Sequence, residues 1–399
     1  MAVGVVMNEK RRARMEVSEQ LKIYQDEASK LRRDLHRIPE EGFDLPKTQE
    51  YLINYLTDLG YQPEKVCETG LVLYINGQCD DDAIAFRADM DALCIREEAN
   101  HEYISRHPGW MHACGHDGHM TMNLLLAKYL ADFPEQRKRS VLLIFQPGEE
   151  GPGGAKPMID AGIFNKYPVK AIFGYHLFPF IEEGKLATKA GPMMGQNSEF
   201  FITVHGLSGH AAEPQRSMDA IVASASLITC LQSIVSRNTN PMESVVISIG
   251  LLNGGTRVNV VADQVKLGGT IRSFSEKSHQ KLHRRIEEVV KGVELTHGCH
   301  IELEFVEMYP PVINDERLYE IFKEQIPQEN RVRFRKVMLS EDFSFFQKEV
   351  PGLYIGLGTG NEEKGFNKNL HTADFNFDEQ VLLRGLDTSL QMINYSKKY

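Results

Sequence analysis

The chain has 399 residues, 42% hydrophobic and 25% charged, which suits a globular protein of two domains, or of one domain with an insertion. Its net charge of −10 sets the average surface against nucleic acid and anionic membranes, and leaves small molecules and proteins as the expected partners. Six cysteines, at positions 67, 79, 94, 114, 230 and 299, form no CxxC pair, so reduced thiols and a cytoplasmic location are expected. The opening "MAVGVVMNEKRRARMEVSEQ" places a short apolar stretch before its basic run, the wrong order for a secretory signal. Met7 and Met15 are as acceptable as starts as Met1, and no run of about 18 apolar residues predicts a membrane span.

In chain order, residues 15–38 read as a helix of mixed charge that Pro39 and Gly42 end, and a second helix covers about 46–59. Short apolar runs follow: "LVLYING" (71–77), "AIAF" (83–86), "VLLIF" (141–145), "AIFGYH" (171–176) and, much later, "LYIGLG" (353–358). Runs of four to six apolar residues between turn residues suit buried strands of a mainly parallel sheet covered by helices, so the fold class is α/β. Between 195 and 309 the rhythm changes. "EFFITVHG" (199–206), an apolar helix at 217–236, the strands "SVVISIGLLNGG" and "DQVKLGGTIRSF", a charged helix at 276–297 and "CHIELEFVEM" (299–308) make a β-α-β-β-α-β order. That order predicts a ferredoxin-like α+β domain inserted into a catalytic α/β domain made of 15–194 and 310–399.

Ligands of open α/β sheets bind beyond the carboxyl ends of the strands. Four polar clusters stand there: "RADMD" (87–91), "QPGEEGPGG" (146–154), His176 at the end of its strand, and "LHTADF" (370–375). "HACGHDGH" (112–119) adds the densest group. Gly115 and Gly118 argue against a helix through this octet, so the helix is expected to start after it, at "HMTMNLLL". Cys114 and His116, two apart, then share a side as metal ligands, with His112 and His119 as neighbours that orient or pack. A thiolate with an imidazole suits zinc and is tolerated by manganese or cobalt. A closed structural zinc site would call for more cysteines than the one here. Glu149 and Glu150 offer one carboxylate for metal and one for proton transfer. With His176 and His371 the donors number five, enough for two ions that keep open positions, which is the arrangement of a catalytic centre.

These residues lie in motifs that resemble the M20 metallopeptidase family, in its amidohydrolase branch: "FRADMDAL", "MHACGHDGHM", "FQPGEEGPGGAKPMI", "YHLFP", "GLSGHAAEP", "NVVADQVKLGGTIRSF", "SEDFSFF" and "LHTADFNFDE" occur in order from about residue 30 to the C-terminus. The resemblance implies a dinuclear centre of two divalent ions (Mn2+, Zn2+, Co2+ or Ni2+) held by Cys114, His116, Glu150, His176 and His371, with Glu149 as general base. It implies that His210 of "GHAA" reaches the active site of a partner subunit and stabilises the oxyanion, that Asn259 and Arg272 bind substrate carboxylate or close the site, and that Asp89 supports the metals from behind. Asp91 is either a similar support or a turn cap. A homodimer through the inserted domain follows from the same resemblance.

The activity so implied is metal-dependent hydrolysis of N-acyl-L-amino acids. "EEGPGGAKPM", "GKLATKAG" and "QSIVSRNTNPMESVVISIG" are most similar to the N-acetyldiaminopimelate deacetylase subgroup; a hippurate or auxin-conjugate type of aminoacylase and a dipeptidase are the near alternatives. A catalytically silent binding protein would require a lost ligand or base, and none is lost. The chain departs from the branch in reading "GLSGHAA" where "GKGGHAA" is frequent, and Cys94 where proline is common. Both departures bear on substrate preference.

Overall fold

The computed structural model describes residues 19–78, 83–395 and 399. The leader reading of the first 18 residues, the first turn of the expected 15–38 helix and position 79 therefore lie outside the described residues. The chain divides into two compact units, one of residues 1–191, 313–335 and 342–399 and the other of residues 192–312 and 336–341.

The first unit is built on an eight-stranded sheet in the order Glu64–Val66, Gly70–Ile75, Val141–Gln146, Ile84–Asp89, Ala171–Glu182, Gly352–Gly360, Leu186–Thr188, Arg331–Arg333. Its four central strands, from 141–146 to 352–360, run parallel. Strands 84–89 and 141–146 are buried at every position, which is why they read as continuous apolar runs rather than alternating ones. Helix His116–Asp132 packs across one face, flanked by Gln25–His36 and Val381–Ile393. Ala28, Leu31, Arg32 and Leu35 form the buried stripe of the 25–36 helix, the spacing of an amphipathic helix. The opposite face carries Phe343 of helix Phe343–Glu349, whose ring centroid lies 5.0 Å from that of Tyr354. The fold is thus α/β with a mainly parallel sheet covered by helices.

Two local expectations are corrected. The helix does not wait for the end of "HACGHDGH" but begins at His116. Gly115 takes a left-handed conformation (φ 85°) that turns the chain into the helix, and Gly118 sits where a Cβ would lie 2.8 Å from Leu177 Cδ1 and 2.9 Å from Phe377 Cζ. The glycines that argued against a helix therefore cap it and let it approach the sheet. His176, in turn, lies inside a 12-residue strand rather than at its end, because pairing with 352–360 continues to Phe178 and, past a register shift, to Glu182.

The second unit is a four-stranded antiparallel sheet in the order Val245–Gly254, Gln264–Ser273, Gln196–His205, His300–Glu307, with helices Ala220–Ser233 and Glu276–His297. This is the ferredoxin-like order. Its core joins Phe200, Ile202 and Val204 to Leu227, Leu231, Leu282 and Ile286. Among the described residues one helical run, Ala220–Asn238, is long and apolar enough to cross a membrane by length and composition. Interspersed Ser, Thr and Gln hide it from a search for unbroken apolar runs, and its Ala220, Ala223, Leu227 and Leu231 are buried in the unit's own core.

Gly118→Val would force its side chain against Leu177 and Phe377. Overpacking of this kind costs about 1–3 kcal/mol, and at about 2–4 °C per kcal/mol the thermal midpoint should fall by several degrees. An unchanged midpoint in a thermal melt would show that the helix start has slack.

Candidate metal centre

Five segments of the first unit bring their polar groups to one place. Asp89 and Asp91 follow the 84–89 strand, Cys114 and His116 stand at the start of the 116–132 helix, Glu149 and Glu150 follow strand 141–146, His176 projects from 171–182, and His371 comes from the loop after 352–360. Cys114 Sγ lies 3.4 Å from His176 Nε2 and 3.3 Å from His371 Nε2. His371 Nε2 is 3.2 Å from Glu150 Oε1, and His116 Nε2 is 4.0 Å from both Glu150 Oε1 and Glu149 Oε2. Cys114, His116 and His176 form one group whose donor atoms lie within 4.8 Å of one another, and Cys114, Glu150 and His371 form a second. Cys114 is common to both groups.

The hydrogen bonds of the imidazoles decide which ring nitrogen faces inward. His116 Nδ1 donates to the Asp91 carbonyl at 2.8 Å, which leaves Nε2 buried with no hydrogen-bond partner among the described residues. His176 Nδ1 donates to the Leu177 carbonyl at 2.8 Å, so its Nε2 faces Cys114. His119 differs. The Leu177 N–H donates to its Nε2 at 3.1 Å and its Nδ1 donates to Asp89 Oδ1 at 2.6 Å, so both nitrogens are used and it supports the site as a neighbour. His112 is buried, and burial pushes its pKa down to about 3, consistent with a packed neutral ring.

The electrostatics call for a cation. Burial pushes the Cys114 thiol well above its usual range, and the carboxylates of Glu150, Glu149 and Asp89 push the same way. Burial alone would lower the His116 pKa, yet the charge of Asp89 and the hydrogen bond to Asp91 raise it to about 10. The negative charge of Asp89, Asp91 and Glu150 that raises this pKa is charge that a divalent ion would also meet. Donors about 2.0–2.3 Å from one ion stand roughly 3.3–3.8 Å apart in a tetrahedral set, close to the separations found here. Thiolate, imidazole and carboxylate together suit zinc, cobalt or manganese, so the residues present fit such ions.

Behind these donors lies a layer that sequence reading only partly anticipated. Asp89 Oδ2 is 3.6 Å from His116 Nε2 and accepts from Arg87 Nη1 at 2.7 Å; Arg87 also donates to Gln146 at 2.8 Å and to Asp342 at 2.7 Å. Asp91, for which two roles were open, accepts from the Glu150 backbone N–H at 2.9 Å and so places both His116 and Glu150. The available signal was an arginine in the fully buried run "AIAFRAD", where a charge must be paired. His371 is half exposed and left-handed (φ 61°), a conformation that costs a non-glycine residue about 1 kcal/mol or more; its N–H is tied to the Ala113 carbonyl at 2.9 Å.

The other expected residues belong to the second unit. His210, on the short strand Gly209–His210, is exposed; its Nδ1 accepts from the Ala212 N–H at 3.1 Å, which leaves the proton on Nε2. Asn259 is exposed beside it, its carbonyl accepting from the Ala211 N–H at 3.2 Å. Arg272, on strand 264–273, donates from Nη1 to the Met338 carbonyl at 2.9 Å.

Comparison with known proteins agrees with this chemistry. Residues 85–395 match the model of peptidase family M20/M25/M40. The chain is 38% identical over 376 residues to an N-acetyldiaminopimelate deacetylase of Bacillus velezensis (92% of this chain, 97% of the relative) and 39% identical over 364 residues to that of Bacillus subtilis (90% and 95%). Among solved structures, a protein from methicillin-resistant Staphylococcus aureus superposes with a TM-score of 0.90 at 31% identity, covering 95% of this chain and 98% of that one. The YXEP protein of Bacillus subtilis, described as a dinuclear metal binding peptidase, superposes with a TM-score of 0.82 at 30% identity, covering 93% and 98%. The chain belongs to peptidase family M20/M25/M40 and is a hydrolase of amide bonds.

Proposed function

We propose that the protein removes the acyl group from N-acyl-L-amino acids, with N-acetyldiaminopimelate as the leading substrate, at a centre of two divalent ions. One observation carries this reading: five donor side chains from four segments converge around Cys114 with a buried carboxylate, Glu149, beside them. The substrate class is supported by the identity of 38–40% to N-acetyldiaminopimelate deacetylases over about nine-tenths of the chain.

Cys114, His116, Glu150, His176 and His371 would hold the ions. Divalent ions there supply the positive charge that polarises an amide carbonyl and acidifies water. Glu149 makes a general base by position: its Oε2 stands 4.0 Å from His116 Nε2, at the mouth of the donor set. It takes a proton from the attacking water and returns it to the departing amine nitrogen, so that one carboxylate serves both steps. His210, protonated on Nε2, is suited to donate to the oxyanion, and Asn259 and Arg272 to the substrate carboxylate.

Within the second unit, Ile221 and Val222 of helix 220–233 and Leu251 and Leu252 of the edge strand 245–254 are at least half exposed. Such an apolar edge supports assembly through this unit, and a homodimer that lends His210 to its partner is the reading we adopt. The five described cysteines are all free, as in a reducing cytoplasm.

Loaded with manganese or zinc, the protein should hydrolyse N-acetyldiaminopimelate faster than N-benzoyl or other N-acetyl amino acids in an amine-release assay, and chelator should abolish the reaction. Absence of chelator-sensitive hydrolysis across that panel would overturn the reading. Glu149→Gln should keep its metal by elemental analysis while turnover falls at least about a hundredfold; full turnover would remove Glu149 from the mechanism. His210→Ala should lower kcat by about 10²–10³-fold, the usual loss for one oxyanion donor, and an unchanged kcat would exclude the role given to it.

A further inference from the structure

A second group of metal-binding side chains stands in the ferredoxin-like unit, among residues given no part in hydrolysis. His279 and His283 are four apart on helix 276–297 and so share one face. That face meets Ser198 and Glu307, which are register partners on neighbouring strands 196–205 and 300–307. Ser198 Oγ lies 2.9 Å from Nε2 of both histidines. Glu307 Oε1 is 3.3 Å from His283 Nδ1, and its Oε2 is 3.7 Å from His279 Nε2. One ring nitrogen of each histidine and one Glu307 oxygen fall within 4.8 Å of one another.

Several features suit a metal ion. Donors of one tetrahedral zinc ion are about 3.3 Å apart, and Glu307 stands 3.3 Å from Nδ1 of His283 and 3.7 Å from Nε2 of His279. The His279 side chain is 2% exposed, that of His283 15% and that of Glu307 59%, so two imidazoles are held in place while the carboxylate opens towards solvent and gives an ion its way in. Burial, then the neighbouring His283, lowers the His279 pKa to about 4, and burial lowers that of His283. Both rings are then neutral near pH 7 and keep a lone pair. The ring of His283 stacks on Phe305 with centroids 4.1 Å apart, which fixes its plane. The Ser198 hydroxyl donates to one Nε2 and accepts from the other, which holds the two rings side by side.

We propose that His279, His283 and Glu307 bind one divalent ion of the zinc class, with the Ser198 hydroxyl or water completing its shell, at a site separate from the hydrolytic donors. Two imidazoles and one carboxylate favour zinc, cobalt or nickel over calcium or magnesium. The ion would clamp helix 276–297 to two strands of its sheet.

The test uses the full-length protein, stripped with chelator and titrated with Zn2+, with bound metal counted after desalting. Glu307→Gln changes an exposed side chain and should weaken binding of one zinc equivalent per chain tenfold or more. His283→Gln should remove that equivalent, and both variants should keep chelator-sensitive amide hydrolysis. In wild type loaded with Co2+, the same equivalent should show a visible d–d band without thiolate-to-cobalt absorption. Wild-type stoichiometry and affinity in both variants, or no cobalt equivalent lacking thiolate absorption, would overturn the proposal.

Discussion

The first unit depends on how it accommodates one buried cation. The Arg87 guanidinium is fully enclosed and lies between Asp89 and Asp342, with Gln146 alongside. A charge in such a place is tolerable only when paired and hydrogen-bonded, and removal of one partner from a buried set typically costs about 3–5 kcal/mol. The pairing joins three stretches: the end of strand 84–89, the end of strand 141–146, and residue 342 after the insertion. Burial alone would raise the Asp89 pKa, but His116, His119 and Arg87 hold it well below the usual carboxylate range, so Asp89 remains an anion that orients His119. The cation that locks the strand ends together also helps His116 and His119 keep Asp89 ionised behind the candidate donors.

A parallel constraint governs the donors. His116 and His176 each spend Nδ1 on a backbone carbonyl, which turns Nε2 towards the other candidate donors. Asp91 couples two donors by taking the Glu150 N–H on its side chain and the His116 N–H on its carbonyl. Cys114, His116 and His176 are buried, whereas His371 is half exposed. That division leaves the candidate donors enclosed on the sheet side and reachable from the His371 side.

Much of this was legible in the sequence because its signals were of the kind that sequence carries. Buried parallel strands appear as unbroken apolar runs, and the β-α-β-β-α-β order of the insertion survives as a change of rhythm. Glu149, Glu150, His176 and His371 stood out as polar residues placed after such runs, and Cys114 and His116 as members of the dense octet 112–119. What escaped depends on three-dimensional partners. Gly115 and Gly118 read as helix breakers until Leu177 and Phe377 show why side chains are excluded there. The end of the 171–182 strand is set by its pairing with 352–360, which no local pattern reveals. His279 and His283 were visible in a charged helix, but the register of Ser198 with Glu307, which gives them company, belongs to the sheet.

The insertion has a consequence for how the protein comes into being. Cys114 and His371 are 257 positions apart, and Arg87 and Asp342 are 255 apart. A nascent chain leaving the ribosome thus carries the completed ferredoxin-like unit before it has either Asp342 or the central strand 352–360. Until then Arg87 lacks one of its counter-charges and strand 171–182 lacks a neighbour, the state in which unpaired strand edges invite aggregation. Residues 342–371 supply the missing strand, the second counter-charge of Arg87 and His371 together, so the candidate centre is assembled only after the whole insertion has been made.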